Sequence, residues 1–239
     1  MKSNSLLLFL SLCAPIILSA QFVAEKSIAA NEPEITEQKM QIEVYDGKTR
    51  MGMAADVRIK GLNARKTIVL EAVSDTTIVI NKYRSYTVSC VKEGYMYFAH
   101  KFWPDEMVLH IEAVDMKPLA IGQKTSIEDI TFLGDETEIY HKSAPALDEL
   151  IQFMTVNPTL KICVIGHGNG PDIDIGDKKI RKATEKRSQA VINYLVQRGV
   201  SGERLSMRGA GNTEMIYADP KTDWQAEANR RIEIEVIGL

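Results

Sequence analysis

Arg187 stands where an arginine is hardest to explain. It lies four residues from both Ala183 and Val191, on the apolar stripe that Ile180, Ala183, Val191, Tyr194 and Leu195 draw along a helix expected from Asp177 to Arg198. On that stripe it points inward, and small neighbours at Ala183 and Ala190 leave room for a guanidinium. A charge in such a place must be paired or must face a ligand. Two accounts are open: a structural ion pair with a loop carboxylate, or a site for an anionic group. Arg230 shares the parity of Ile232 on the last expected strand, so a second arginine approaches the same place.

The turn Gly166-His167-Gly168-Asn169-Gly170 supplies the other half. It leaves an apolar strand and enters a helix, where free backbone N–H groups favour an anion. It lacks the lysine and spacing of a P-loop and does not fit GxGxxG, so nucleotide binding is not indicated. Asp172, Asp174 and Asp177 follow. They either receive an ammonium group or a cation, or form a solvated loop in which Asp177 caps the helix. His100, His110, His141 and His167 are scattered without metal-ligand spacing. Cys90 and Cys163 sit in separate apolar runs and are expected to be free thiols. With no GxSxG elbow, no Cys–His pairing and no carboxylate pair at a recognisable spacing, neither an enzyme nor a cofactor is expected.

These residues need a scaffold, and the chain has two patterns to build one. From Gln41 to about Val114, short alternating runs recur every 8 to 12 residues with turn signals between them, such as Asp46-Gly47, Gly61 and Glu93-Gly94. Seven strands are expected, in an antiparallel all-β sandwich over residues 41–117. From residue 118 onward the period changes. Ser143 and Pro145 open an amphipathic helix through Leu147, Leu150, Ile151 and Met154, ending before Asn157-Pro158. Leu160 to Ile165 reads as a buried strand, the long helix closes at Gly199, and Arg204 to Arg208 and Arg230 to Ile237 read as strands. With a first strand at Ile127 to Leu133, residues 118–239 form a mixed α+β unit of order β-α-β-α-β-β. The fold class is thus two domains, an N-terminal all-β sandwich followed by this α+β domain.

The first twenty residues differ from the rest, with Lys2 as the only charge, an apolar run from Leu6 to Leu18, and Ser19-Ala20. This is the composition of a secretory signal peptide, cleaved after Ala20, and residues 21–40 read as a linker. At 45% apolar and 26% charged residues, the chain is ordinary for a folded globular protein, which argues against disorder. A net charge of −3 gives no drive toward nucleic acid. Eight long lipid-facing strands with aromatic girdles are lacking, so a membrane barrel is not expected.

The stretch from Ile127 to Gly238 resembles the OmpA-like domain, with which envelope proteins of Gram-negative bacteria hold peptidoglycan. The residues that carry the resemblance are Ile130-Thr131-Phe132, Ser143 to Leu150, Gly166-His167, Arg187, Arg204-Leu205 with Gly209 and Gly211, and Asn229-Arg230-Arg231-Ile232-Glu233-Ile234. In that family a Gly-His-Thr-Asp turn gives an aspartate to the ammonium of diaminopimelate, and an arginine takes the carboxylate. Arg187 matches the arginine; Gly168-Asn169 stands where the family has Thr-Asp. The resemblance implies a peptidoglycan site of Asn169, Arg187, His167, Gly168 and Arg230, with Asp172 or Asp174 replacing the missing carboxylate. The other implied outcome is a protein-interaction module that has lost this ligand. The stretch from about Gln41 to Val114 resembles carboxypeptidase regulatory-like, transthyretin-type domains through Ala55-Asp56-Val57-Arg58-Ile59, Tyr86-Thr87-Val88 and Lys92-Glu93-Gly94-Tyr95. That implies a spacer or a surface for an outer-membrane or periplasmic protein partner. Together the two resemblances imply a location at the periplasmic face of the outer membrane.

Overall fold

The computed structural model describes residues 36–62, 66–104, 109–133 and 138–239. The expected signal peptide and most of the expected linker, residues 21–35, lie outside the described residues. Residues Glu37–Leu239 form one compact unit.

Among the described residues, seven strands occupy the first half: β1 (Glu37–Asp46), β2 (Ala55–Gly61), β3 (Ile68–Val73), β4 (Asp75–Asn81), β5 (Tyr86–Cys90), β6 (Phe98–Phe102) and β7 (Leu109–Met116). They form a three-stranded sheet in the order β4-β1-β7 and a four-stranded sheet in the order β3-β2-β5-β6. Alternation along β1 buries Gln38, Met40, Ile42 and Val44. Those residues, with Val114 and Met116 of β7, share one apolar cluster with Val57, Ile59, Val88 and Cys90 of the other sheet. Two expectations are corrected. β1 begins at Glu37, inside the expected linker, because it pairs with β4 from Glu37 onward. β7 runs parallel to β1 along Lys39 to Asp46, so the pairing is not wholly antiparallel. Cys90 is buried and free, and burial pushes its thiol up to about 12, which keeps it protonated. Cys163 is also a free thiol.

The strands of the second half are β8 (Lys124–Ile127), β9 (Phe132–Leu133), β10 (Glu138–Ile139), β11 (Lys161–His167), β12 (Leu205–Gly211) and β13 (Ile232–Gly238). β8, β11, β12 and β13 form a four-stranded sheet in the order β12-β11-β13-β8, and the short β9 and β10 form a separate hairpin. β11 pairs parallel to β12 and antiparallel to β13. The helices are α1 (Ala144–Val156), α2 (Lys178–Gln197) and α3 (Asp223–Asn229). The strand expected at Ile127 to Leu133 is therefore two pieces, and only Lys124–Ile127 joins the main sheet. Turn residues Glu128 and Asp129, the latter at φ 61°, divide them. Helix α3 is about two turns long, too short to show an apolar period in the sequence.

The caps follow local chemistry in one case and tertiary demand in another. Asp177 accepts from the N–H groups of Lys179 and Ile180, both at 2.9 Å, and starts α2 as expected. Ser143 does not cap α1 with its side chain. Its Oγ instead accepts from the Thr131 N–H at 2.9 Å, fastening the incoming segment to the helix start. At the far end of α1, Arg204 donates to the carbonyls of Met154, Asn157 and Leu160, meeting the orphan C-terminal acceptors with a positive charge.

Helix α1 buries Leu147, Leu150, Phe153 and Met154 against Ile162 and Val164 of β11, Ile232, Ile234 and Val236 of β13, and Val191 and Leu195 of α2. Met96 and Tyr97, from the segment between β5 and β6, belong to the same cluster. The Tyr97 hydroxyl donates to Glu149 at 2.9 Å, and burial together with that carboxylate pushes its ionisation well above the ordinary value. Gly94 N–H donates to the buried Asn157 at 2.8 Å, and Arg58 donates to Gln152. The two halves thus share both a core and polar contacts.

Where α2 crosses the sheet the approach is closer than side chains normally allow. A Cβ added at Gly166 would sit 2.3 Å from the Thr184 carbonyl, and one at Gly209 would sit 2.6 Å from the Arg181 carbonyl. The helix face meeting them is polar and small: Thr184 and Ser188 are buried. Ser188 donates to the carbonyls of Thr184 and Arg208, and Thr184 Oγ1 accepts from Gly211 N–H at 3.0 Å. The buried line on α2 is therefore Thr184, Ser188, Val191 and Leu195, and Arg187 flanks it, half-buried, instead of lying at its centre.

At the end of β11 the ring of His167 is buried, with Nε2 3.0 Å from Glu233 Oε2. Arg231 Nε donates to the other Glu233 oxygen at 2.8 Å. The His167 ring, helped by Arg231, outweighs burial and holds the Glu233 carboxyl down at about 2.

Two outcomes follow for stability. Gly209→Ala is expected to cost about 1–3 kcal/mol in urea unfolding, because the helix backbone cannot give way, whereas Gly202→Ala, whose nearest contact would be 4.0 Å away, stays close to wild type. Glu233 is depressed in the folded state, so its contribution is complete above the ordinary 4.5 and is lost as pH falls through that value toward about 2. Glu233→Gln should accordingly show a shallower fall of Tm across that acid range than the wild type; equal slopes would remove Glu233 from the account.

Candidate functional site

The site is assembled from four segments that meet at the open end of β11. Helix α2 brings Arg187, whose Nη1 lies 3.5 Å from the carbonyl oxygen of His167 and donates to it. The guanidinium carbon is 5.7 Å from the centre of the Phe132 ring, contributed by β9. Half-buried between a carbonyl and an aromatic face, the guanidinium is held in orientation.

The glycine-rich turn brings Asn169. Its Oδ1 accepts from Asn229 Nδ2 at 2.8 Å, and Asn229 is fully buried at the end of α3. Asn229 also donates to the Tyr217 carbonyl and accepts from the Tyr217 N–H, so one amide fixes the turn to the 212–222 loop. Gly168 N–H donates to the Gly211 carbonyl at 2.7 Å. Residues 170–176 are wrapped around a second buried amide: Asn212 Nδ2 donates to the carbonyls of Gly170, Ile173 and Asp174, and its Oδ1 accepts from Gly176 N–H.

The residues expected at the site are thus brought together in part. Arg187 and the carbonyl of His167 are in contact, and Gly168 and Asn169 follow directly in the same turn. The imidazole of His167 is turned into the sheet toward Glu233, so only its backbone faces the site. Asp172 and Asp174 are exposed, and among the described residues neither carboxylate makes a hydrogen bond or an ion pair. Arg230 does not turn inward; it is exposed and pairs with Glu227 of α3 at 3.0 Å. The reason is that β13 starts at Ile232, two residues later than expected, and Arg230 serves as the cap of α3. Sequence reasoning missed Asn212 and assigned no role to Asn229. The available signals were a buried-type asparagine directly after Gly211, and the asparagine that opens Asn229-Arg230-Arg231.

A metal is not favoured here by the donor set. His167, Glu214 and Glu233 have ligand atoms within 4.8 Å of one another. Both carboxylates are already engaged by cations, Glu214 by Arg208 at 2.6 Å and Lys124 at 3.4 Å, and Glu233 by Arg231. The pairing with Arg208, ahead of burial, holds Glu214 below its ordinary value. The cluster is an ion-pair network that braces the sheet edge. Chemically, a guanidinium is a group that pairs with a carboxylate, and the amide and carbonyl oxygens of the turn are groups that accept from an ammonium.

Comparison with known proteins agrees with this half of the chain. The chain is 29% identical over 122 residues to outer membrane protein A of Serratia odorifera, covering 46% of this chain and 49% of that protein. It is 28% identical over 123 residues to outer membrane protein A of Serratia marcescens, covering 46% and 33%. The match therefore spans between a third and a half of the length of these curated relatives. Among solved structures, the periplasmic domain of Helicobacter pylori MotB aligns at 15% identity and a TM-score of 0.42, over 64% of this chain and 82% of that one. The model of the OmpA family matches residues 131–230, which run from the β9 segment through α1 and α2, the helix that carries Arg187, to the Asn229-Arg230 pair. Residues 131–230 are an OmpA family domain.

Proposed function

We propose that this chain is a non-enzymatic cell-envelope protein whose C-terminal domain binds peptidoglycan through a diaminopimelate-type stem peptide. The observation that carries the reading is the placement of Arg187: a half-buried guanidinium, oriented by the His167 carbonyl beside the glycine-rich turn. A carboxylate of the stem peptide pairs with Arg187, and the ammonium group is received by the oxygen-rich turn at Asn169. An amide oxygen in place of a carboxylate supplies a dipole without a charge, so the ammonium end is the weaker half of the clamp. Export to the periplasm is supported by the apolar leader over residues 1–20, and the outer-membrane relatives agree with it. The seven-stranded half, read as a carboxypeptidase regulatory-like β-sandwich, serves as a surface for an outer-membrane or periplasmic partner, so that the protein links the cell wall to that partner.

A second reading has its own observation. Asn169 is tied to Asn229, and the exposed carboxylates of Asp172 and Asp174 make no contact with Arg187. On that reading the domain is a protein-interaction or assembly module that has lost its cell-wall ligand.

Retention of the chain on purified insoluble peptidoglycan, with free diaminopimelate as competitor, separates the two. Competed retention is expected for the wild type, and Arg187→Ala should weaken it by roughly ten- to a hundred-fold, the loss of a bidentate charge-assisted contact, while the variant stays folded by circular dichroism. Retention that survives Arg187→Ala in a folded protein would falsify the role of that residue. Asn169→Asp restores the negative charge and is expected to strengthen binding. If the wild type is not retained at all, the assembly reading replaces the first.

A further inference from the structure

A cavity of about 550 Å³ lies away from Arg187, between the strands of the first half and the start of α1. We propose that this cavity binds a small ligand carrying both an anionic group and hydroxyls, a sugar acid or a sugar phosphate. Its size falls within the range of roughly 300–1,000 Å³ usual for small-molecule sites. Three lysines from three different elements converge on it: Lys60 of β2, Lys101 of β6, and Lys142 of the single 3-10 turn before α1. His141 and one carboxylate, Asp129, also line it.

The charge balance is what singles the cavity out. The chain as a whole is at −3, yet among the described residues the lining carries three lysines against one carboxylate. Lys101 is paired with Asp129 at 2.7 Å. Among the described residues Lys60 and Lys142 make no ion pair; Lys142 lies 5.8 Å from the centre of the Tyr140 ring. Like charges gathered around a cavity repel one another, and an anion in it relieves that repulsion. The start of α1 adds to the effect. Its first turn holds no acidic residue, Ser143 is committed to Thr131, and Ser143 and Pro145 line the cavity, so the positive end of the helix is left uncompensated there.

Asp129 supplies the complementary part. Its carboxylate is held in place by Lys101 and by Thr87, whose hydroxyl donates to it at 2.9 Å. The remaining acceptor capacity of that carboxylate, with the hydroxyls of Ser85, Thr87 and Tyr140 along the same wall, suits a ligand with hydroxyl groups beside its charge. Neither Arg187 nor Asn169 lines this cavity, so the inference does not rest on the peptidoglycan reading.

Isothermal titration of the full chain at low ionic strength tests it, with glucuronate, glucose 6-phosphate, inorganic phosphate and neutral glucose as probes. Saturable binding of at least one of the two anionic sugars is expected, with weaker binding of inorganic phosphate and none of glucose; which sugar binds tells the carboxylate source from the phosphate source. Lys60→Ala and Lys142→Ala are each expected to weaken the affinity about ten-fold, while Lys142→Arg retains it and Arg187→Ala leaves it unchanged. Added salt should weaken it as well. Absence of saturable binding for both anionic sugars overturns the proposal, as does binding that is indifferent to both lysines. Binding that disappears with Arg187→Ala assigns the ligand to the other site and overturns it equally.

Discussion

Everything in the second half of this protein depends on how closely α2 lies over the sheet. Gly166 and Gly209 are the two points at which the helix backbone rests almost directly on strand backbone. Without a Cβ on either strand, Thr184 and Ser188 exchange hydrogen bonds with strand carbonyl and N–H groups, in place of the apolar contacts a helix usually makes. That proximity is what lets the Arg187 side chain reach the carbonyl at the end of β11. A helix standing off by the usual 10 Å spacing of packed layers would leave the guanidinium in solvent.

The open end of the sheet is then shaped by buried amides. Asn212 and Asn229 are each almost fully enclosed, and each satisfies backbone groups of segments with no regular hydrogen-bonding pattern of their own. Buried polar side chains of this kind are costly unless fully paired, and when paired they specify one loop geometry among many. Charges are handled in the same manner at the sheet edge, where Glu214 and Glu233 are each matched by an arginine. The result is a hydrogen-bonded rim beside the Arg187 guanidinium and the glycine-rich turn.

The strand-rich half is bound into this arrangement by burial. Met96 and Tyr97 enter the core under α1, and Asn157, Glu149 and Gln152 on or after that helix accept hydrogen bonds from the strand-rich half. One consequence is that the start of α1 faces strands β2, β5 and β6 across a basic cavity. Ser143 is the clearest case of tertiary structure overriding local preference, since its hydroxyl leaves the helix cap to hold Thr131.

Much of this was legible in the residues themselves. Alternation in β1, β2, β5 and β13, the three-and-four spacing of α1, the Asp177 start of α2 and its left-handed stop at Gly199, φ 95°, follow from side-chain period and backbone freedom, which are local properties. The pairing of Arg187 with a glycine-rich turn was legible for the same reason, because each lies at a fixed offset on its own element. What the order of residues left open was decided by contacts distant in the chain. The direction of β7 beside β1, the break of the expected opening strand at Asp129, the outward turn of Arg230 toward Glu227, and the burial of the His167 ring against Glu233 all depend on partners that no window of neighbouring residues contains. Local period sets which face of an element is apolar; only packing against the rest of the chain sets which polar groups meet, because an ion pair or a buried amide is defined by distances between segments.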